Sequence, residues 1–301
     1  SGIWLAKHML NIKTSFLSVS IYVLFATASV FASESTVRIV TSFTILEDLV
    51  RQLGGDNVEV VNLVPRDSDA HVYSPKPSDS IAIVNADLVI SNGLGFEGWI
   101  DRLLEDAGKK EKHLVASDGV LTLSNKGEID PHAWQSFLNI EIYVRNISGQ
   151  LIKLLPQQKQ DLIFRRDKYL ELILSIEQHF EERIARTPVS ERIVVTSHDA
   201  FGYLGREFDI QFFAPLGLSL DEEASAEDLA SLVNQIKEKQ VTALFVENIT
   251  NPRLLEVIAA ETGVGIGGSL YSDALSGVDG PAATYVNMMR HNLESIIDGF
   301  N

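Results

Sequence analysis

One stretch of the chain, residues 157–187, contains neither glycine nor proline and constrains the fold more than any other feature. Pro156 stands where a helix would begin and Pro188 where it would end, so this stretch predicts a single helix ~46 Å long. Its apolar residues recur at helical spacing: Leu162, Tyr169, Leu172, Ile176 and Phe180. Because so long a helix is uncommon inside one compact α/β lobe, we expect it to connect two lobes.

Short apolar strands alternate with amphipathic helices on both sides of this stretch, a pattern typical of parallel βαβ units. The predicted fold class is therefore α/β, with two β/α lobes of mainly parallel strands joined by one long rigid helix. The predicted domains are an N-terminal lobe at 33–155, the linking helix at 156–188 and a C-terminal lobe at 189–301. Strands are predicted at 37–43, 58–64, 87–91, 113–116, 192–196, 211–215, 242–247 and 264–270.

Residues 1–32 resemble an expression scar followed by a signal peptide. Lys7 and Lys13 form a basic region, and the apolar run at 16–30 spans ~22 Å, which is short of the ~30 Å hydrocarbon core of a membrane. Cleavage is predicted before Ser33. Because the sequence contains no cysteine that could carry a lipid, we expect a periplasmic protein that is not lipid-anchored.

The charge balance is acidic, with 25 Lys and Arg residues against 41 Asp and Glu residues and a net charge of −16. A charge of this sign argues against binding to nucleic acid, and it favours solubility and a weak long-range attraction for cations.

Four side chains are candidate metal ligands: His71, His132, His198 and Asp273. Three imidazoles and a carboxylate form a ligand set suited to Zn²⁺ or Mn²⁺. Each side chain follows a predicted strand, two in each lobe, and ligands bind beyond the carboxyl ends of strands in open parallel sheets. The sequence therefore predicts a metal site in the crevice between the lobes.

Six motifs give the chain a recognisable family character: DAHVYSPKPSD, DPHAW, TSHDAFGYL, GLSLDEEASAEDL, FVENITNPRLLEVIAAETG and SLYSDALS. Over residues 36–300 it resembles the metal-binding solute-binding proteins of bacterial ABC transporters, the cluster A-I group that serves zinc and manganese uptake. The resemblance implies two β/α lobes joined by one long helix. It also implies that His71, His132, His198 and Asp273 bind one metal ion per chain.

The choice between Zn²⁺ and Mn²⁺ stays open at this point. The family usually has proline where this chain has Ala70, and Leu-Asp where it has Gln135-Ser136. His198 favours zinc, because relatives dedicated to manganese usually have glutamate at that position. The segment 117–128 lacks the histidine-rich loop of many zinc-dedicated relatives, which favours manganese or dual use.

Four further residues are candidates for supporting roles near the metal. Glu247 is predicted either to fix the second ring nitrogen of a histidine ligand or to act as a charge at a helix N-terminus. Asp199 is interpreted mainly as a helix cap. Trp134 and Tyr73 could line the site, although packing is the preferred role for both.

By resemblance, the partners are a permease in the inner membrane and its ATPase, and we expect a monomer that is not an enzyme. One alternative is a zinc metallohydrolase, but four protein ligands leave a tetrahedral ion no open position for water. The other alternative is a surface adhesin-type binding protein, for which no exposed aromatic stretch argues.

Overall fold

Two parallel sheets organise the chain, as seen in a computed structural model that describes residues 36–125, 127–220 and 224–300. In the first sheet the strand order is β2-β1-β3-β4 and every pairing is parallel. Its strands are β1 (Val37–Thr41), β2 (Val58–Asn62), β3 (Leu88–Ser91) and β4 (His113–Val115), and its helices are α1 (Thr44–Gly54), α2 (Pro77–Asn85) and α3 (Ile100–Asp106).

The middle of the chain is a small hairpin followed by two helices. The hairpin pairs β5 (Ser124–Asn125) with β6 (Glu128–Ile129). Next come α4 (Phe137–Leu154) and α5 (Lys159–Ile184), the latter with 26 residues.

The second sheet repeats the topology of the first. Its order, β10-β9-β7-β8, also places the first strand of the lobe between the second and the third, with parallel pairing throughout. Its strands are β7 (Ile193–Val195), β8 (Gln211–Phe213), β9 (Ala243–Glu247) and β10 (Gly265–Leu270), and its helices are α6 (Gly202–Phe208), α7 (Ala226–Lys239), α8 (Arg253–Thr262) and α9 (Tyr285–Gly299). The predicted α/β class with two β/α lobes is confirmed.

The long helix α5 packs against α1 and α4 of the first lobe and against α9 of the second. Its buried side chains repeat every three to four residues: Leu162, Tyr169, Ile173, Ile176, Phe180 and Ile184. This stripe belongs to one hydrophobic core that contains side chains of both lobes. The long helix is therefore continuous with the packing of both lobes.

Two predicted helices begin later than expected. The amphipathic pattern at 96–107 predicts a helix from residue 96, but α3 starts at Ile100, because Gly93, Leu94 and Gly95 all have positive φ and the chain turns there before it can become helical. A 3₁₀ turn at Pro156–Gln158 precedes α5, so this helix is shorter than the 157–187 stretch suggested. The hairpin of β5 and β6 was not predicted.

The predicted signal peptide at 1–32 lies outside the described residues, and the predicted domain boundaries stay predictions. Across the described ranges, no helix combines the length and apolar character needed to cross a membrane.

Candidate metal centre

Four side chains that are distant in sequence converge where the two lobes meet. One potential ligand atom from each of His71, His132, His198 and Asp273 lies within 4.8 Å of all the others. Asp273 Oδ2 is 3.5 Å from His71 Nε2 and 3.3 Å from His198 Nε2, and Asp273 Oδ1 is 3.5 Å from His132 Nε2. The structure thus brings together all four predicted ligands.

The local chain explains how each ligand reaches this point. His198 lies three residues beyond the end of β7 and Asp273 three residues beyond the end of β10, so the carboxyl ends of two strands of the second sheet deliver them. His71 lies in the loop between β2 and α2. His132 precedes a 3₁₀ turn, Ala133–Gln135, that leads into α4.

Three of the four side chains are fully buried, and the fourth is slightly exposed. His132, His198 and Asp273 have no exposed surface. The side chain of His71 is 8% exposed. An ion held by these four side chains would therefore lie largely out of contact with bulk water.

Glu247 holds His198 in place with both carboxylate oxygens. Oε2 lies 2.6 Å from His198 Nδ1, and Oε1 accepts hydrogen bonds of 2.9 Å from the backbone amides of Ser197 and His198. A proton on Nδ1 shared with Glu247 leaves Nε2 free to bind a cation. Two roles were predicted for Glu247, and this contact with the second ring nitrogen of a candidate ligand corresponds to the first of them.

Two further aspartates organise the other histidine loops, and the sequence reasoning missed both. Asp130 Oδ1 lies 2.8 Å from His132 Nδ1 and also accepts the His132 backbone amide at 2.9 Å. Asp69 Oδ1 accepts the His71 backbone amide at 2.8 Å. The sequence could have indicated both contacts, because each aspartate stands two residues before its histidine, which is the spacing of an Asx turn.

The backbone beside Asp273 is fixed from the first lobe. Trp134 Nε1 and Gln135 Nε2 donate to the Ser272 carbonyl oxygen at 2.9 and 2.8 Å. Neither carboxylate oxygen of Asp273 has a hydrogen-bond partner among the described residues, although both are buried. Since buried polar atoms are nearly always paired, two such oxygens facing three imidazoles fit a bound cation.

Electrostatics inside the cluster favour positive charge. Burial by itself lowers the pKa of His132, but the carboxylates of Asp273 and Asp130 outweigh it and raise this pKa to about 9. Burial likewise lowers the pKa of His198, yet Glu247 and Asp273 hold it well above its ordinary value. Burial raises the pKa of Asp273, but His132 and His198 bring it well below the ordinary value. Without a metal, protons supply the positive charge that the carboxylates require.

The three remaining candidates lie around the site without adding a ligand. Trp134 is fully buried, with its ring centroid 5.3 Å from that of His132, so it forms a packed wall. Tyr73 donates to Asp79 Oδ2 at 2.8 Å, away from the cluster. The cap prediction for Asp199 is wrong, because α6 begins at Gly202 and Phe201 occupies the N-cap position.

Known proteins resemble the chain over nearly all of its described length. The manganese-binding lipoprotein MntA of Halalkalibacterium halodurans is 31% identical over 266 residues, which cover 88% of each chain. The solved periplasmic zinc-binding protein TroA of Treponema pallidum is 26% identical with a TM-score of 0.85, covering 88% of this chain and 99% of TroA. A manganese-bound periplasmic metal-binding protein of Candidatus Liberibacter asiaticus is 29% identical with a TM-score of 0.80, covering 88% of this chain and all of that one.

These comparisons contradict the predicted localisation, a periplasmic protein without a lipid anchor. MntA is named a lipoprotein, and several streptococcal relatives carry the same word in their names. The periplasmic part of the prediction came from the signal-peptide pattern, and the claim of no lipid anchor came from the absence of cysteine. Relatives of this fold are named both as lipoproteins and as periplasmic proteins.

The comparisons also decide between the alternatives considered for the function. Relatives are named as substrate-binding proteins of metal ABC transporters, not as hydrolases or adhesins. The model of one family, described as zinc-uptake complex component A, periplasmic, matches residues 39–299. The chain therefore belongs to this ZnuA family of metal-binding components of ABC transporters, which are not enzymes.

Proposed function

We propose that the protein captures one Zn²⁺ or Mn²⁺ ion between its lobes, with His71, His132, His198 and Asp273 as ligands, and delivers it to a membrane permease. One observation carries the proposal. Three histidine nitrogens and a carboxylate, drawn from both lobes, surround a common point, and the carboxylate oxygens have no other described partner. Membership of a transporter family implies a permease and an ATPase as partners.

The support for metal binding begins with the donor chemistry. Imidazole binds a divalent ion only when the coordinating nitrogen is unprotonated, and Asp130 and Glu247 sit against the opposite ring nitrogens of His132 and His198. Both ring orientations are therefore those of a ligand that presents Nε2 to an ion.

Either ion fits the positions of the Asp273 oxygens. If one oxygen binds, the centre has three nitrogens and one oxygen, the closed tetrahedral set that Zn²⁺ prefers. Asp273 Oδ1 faces His132 while Oδ2 faces His71 and His198, so both oxygens point into the cluster. Binding through both would give the higher coordination number that suits Mn²⁺, whereas raw affinity follows the Irving–Williams order and favours Zn²⁺.

A hydrolytic role is not supported by the ligand set. Asp130 and Glu247, the carboxylates that contact histidine ring nitrogens, are occupied by those nitrogens and by backbone amides. Four protein ligands around a tetrahedral ion leave no position for an attacking water. We accordingly propose a monomeric carrier.

Equilibrium titration of the metal-free protein with Zn²⁺ and with Mn²⁺ tests this function. We expect one ion per chain and loss of tight binding in Asp273→Ala. The matched control is His291→Ala, which removes an imidazole that contacts the Ser269 carbonyl oxygen outside the cluster. Absence of binding for both ions, or equal binding by Asp273→Ala, would refute the proposal.

A further inference from the structure

The segment that follows Asp273 belongs to the second lobe in sequence, but most of its hydrogen bonds to other parts of the chain run to the first; one that does not is from Asn248 Nδ2 to the Ala274 carbonyl oxygen, at 3.2 Å. The Leu275 backbone amide donates to Thr44 Oγ1 at 2.8 Å. At the start of α9, the Tyr285 backbone amide donates to Asp48 Oδ2 at 2.8 Å. Thr44 and Asp48 both lie on α1 of the first lobe. Residues 274–285 are thus attached at both ends to the opposite lobe.

Arg66 of the first lobe binds the middle of this segment. Its Nη1 donates to two carbonyl oxygens, that of Ser276 at 2.7 Å and that of Ala283 at 3.0 Å. Hydrogen bonds from a charged donor are about twice as strong as neutral ones. Since Arg66 lies in the loop that leads to His71, one guanidinium joins the loop of the first ligand to the loop of the last.

Asp67 adds three hydrogen bonds to the same contact. Oδ1 accepts from Asn248 Nδ2 at 2.9 Å, Oδ2 accepts from the Gly277 amide at 3.1 Å, and the Asp67 amide donates to the Leu275 carbonyl oxygen at 3.2 Å. Asp67 has φ 54°, in the left-handed region that aspartate tolerates better than most residues. The turn there aims both the side chain and the backbone of Asp67 at the second lobe.

We infer that Arg66 and Asp67 are positioning residues for the metal: they hold Asp273 against the lobe that carries His71 and His132. The inference rests on the proposed function. If the inference holds, the four candidate ligands are divided unequally between the two lobes. Three would be fixed to the first lobe, and only His198, held by Glu247 on β9, would move with the second sheet.

The functional consequence concerns how long a bound ion stays. If Arg66 and Asp67 were lost, the 274–285 segment would keep its end contacts on α1 but lose the hydrogen bonds that join its middle to the loop of His71. The Asp273 carboxylate would then move between positions inside and outside bonding distance of the ion. Such a change shortens the residence of the ion and alters its coordination.

The experiment compares two variants with a matched control. Arg66→Gln removes the donors to Ser276 and Ala283, and Asp67→Gly removes the carboxylate but keeps a residue suited to positive φ. The control is Arg192→Gln, because Arg192 also donates to two carbonyl oxygens, those of Thr187 and Phe208, within the second lobe and away from the metal.

Three readouts are taken for each protein: the Zn²⁺ dissociation rate into excess chelator, the visible spectrum of the Co²⁺ form, and the Tm of the metal-free form. For Arg66→Gln and Asp67→Gly we expect dissociation to become about 10- to 100-fold faster, the range typical of lost support for a metal ligand. We also expect a changed Co²⁺ spectrum, and an intermediate rate for Arg66→Lys. The control should lower only the Tm.

Each other result has a definite meaning. If both variants lower the Tm but keep the Zn²⁺ dissociation rate and Co²⁺ spectrum of the unaltered protein, the two residues are merely structural and the inference is wrong. Should Arg66→Gln fail to fold, Asp67→Gly decides alone. If the unaltered protein binds no metal, the proposed function itself falls and takes this inference with it.

Discussion

Replacing Glu247 with glutamine tests how much of the metal affinity depends on a side chain that never touches the ion. The carboxylate contacts His198 Nδ1 at 2.6 Å and accepts the backbone amides of Ser197 and His198. Glutamine has almost the same shape, but it has one acceptor oxygen and an NH₂ group. The substitution therefore changes the chemistry and preserves the packing.

The magnitude follows from the donors that would lose an acceptor. To bind a metal through Nε2, neutral His198 must carry its proton on Nδ1. The glutamine oxygen can accept either from the backbone amides or from that ring proton, so one buried donor stays unpaired at a cost of about 1–3 kcal/mol. This cost corresponds to a loss of Zn²⁺ affinity of roughly 5- to 140-fold, since each 1.4 kcal/mol is about tenfold.

A competition titration against a chromophoric chelator at fixed pH measures the affinity. Glu256→Gln is the control, because Glu256 lies exposed on α8 and its loss changes the net charge equally. We expect Glu247→Gln to bind more weakly and the control to bind like the unaltered protein. Equal affinity for all three proteins would show that Glu247 does not orient His198.

Three further predictions concern pH and stability. The pKa of His132 is raised to about 9 and that of His198 lies well above its ordinary value, so a metal ion must displace protons at neutral pH. Calorimetry in buffers of different ionisation enthalpy should therefore show proton release on metal binding, and the metal affinity should rise with pH up to about pH 9. Burial raises the pKa of Glu97 to about 7, above its unfolded value of 4.5, so the free energy of unfolding that Glu97 contributes falls by about 3 kcal/mol as the pH rises from 4.5 to 7. Urea unfolding of Glu97→Gln should lack this fall, and a variant with the same pH profile as the unaltered protein would refute the raised pKa. Phe180 on α5 packs with its ring centroid 4.6 Å from that of Phe208, within the core that both lobes share. Phe180→Ala should lower the free energy of unfolding by about 3–5 kcal/mol and keep a single cooperative transition. Separate unfolding transitions for the two lobes would contradict a shared core.

Local patterns were sufficient to predict most of the fold. Strands such as VRIVT and ALFVE are short buried runs, and the punctuation by Gly54 and Gly263 marks where helices α1 and α8 end. Where the prediction failed, contacts distant in sequence were responsible. The turn at 96–99 depends on Glu97, whose buried carboxylate accepts from the hydroxyl of Ser42, 55 positions away, as well as from the amides of Asn92 and Gly93.

The convergence of the candidate ligands was predictable, and most of the contacts that support them were not. Three histidines after strand ends form a pattern visible in sequence, and the structure places them together with Asp273. The cap assigned to Asp199 failed because its preference for caps is a local rule, and the helix starts later than that rule assumed. The link from Arg66 to Ser276 joins residues 210 positions apart, and sequence periodicity carries no information on such pairs.

Crystallographic anomalous scattering from the protein loaded with Zn²⁺ tests the central claim most directly. A single peak is expected between the lobes, within ~2.0–2.2 Å of one nitrogen from each of His71, His132 and His198 and of an oxygen of Asp273. A peak bonded elsewhere, or one from which any of these four side chains is absent, would contradict the account.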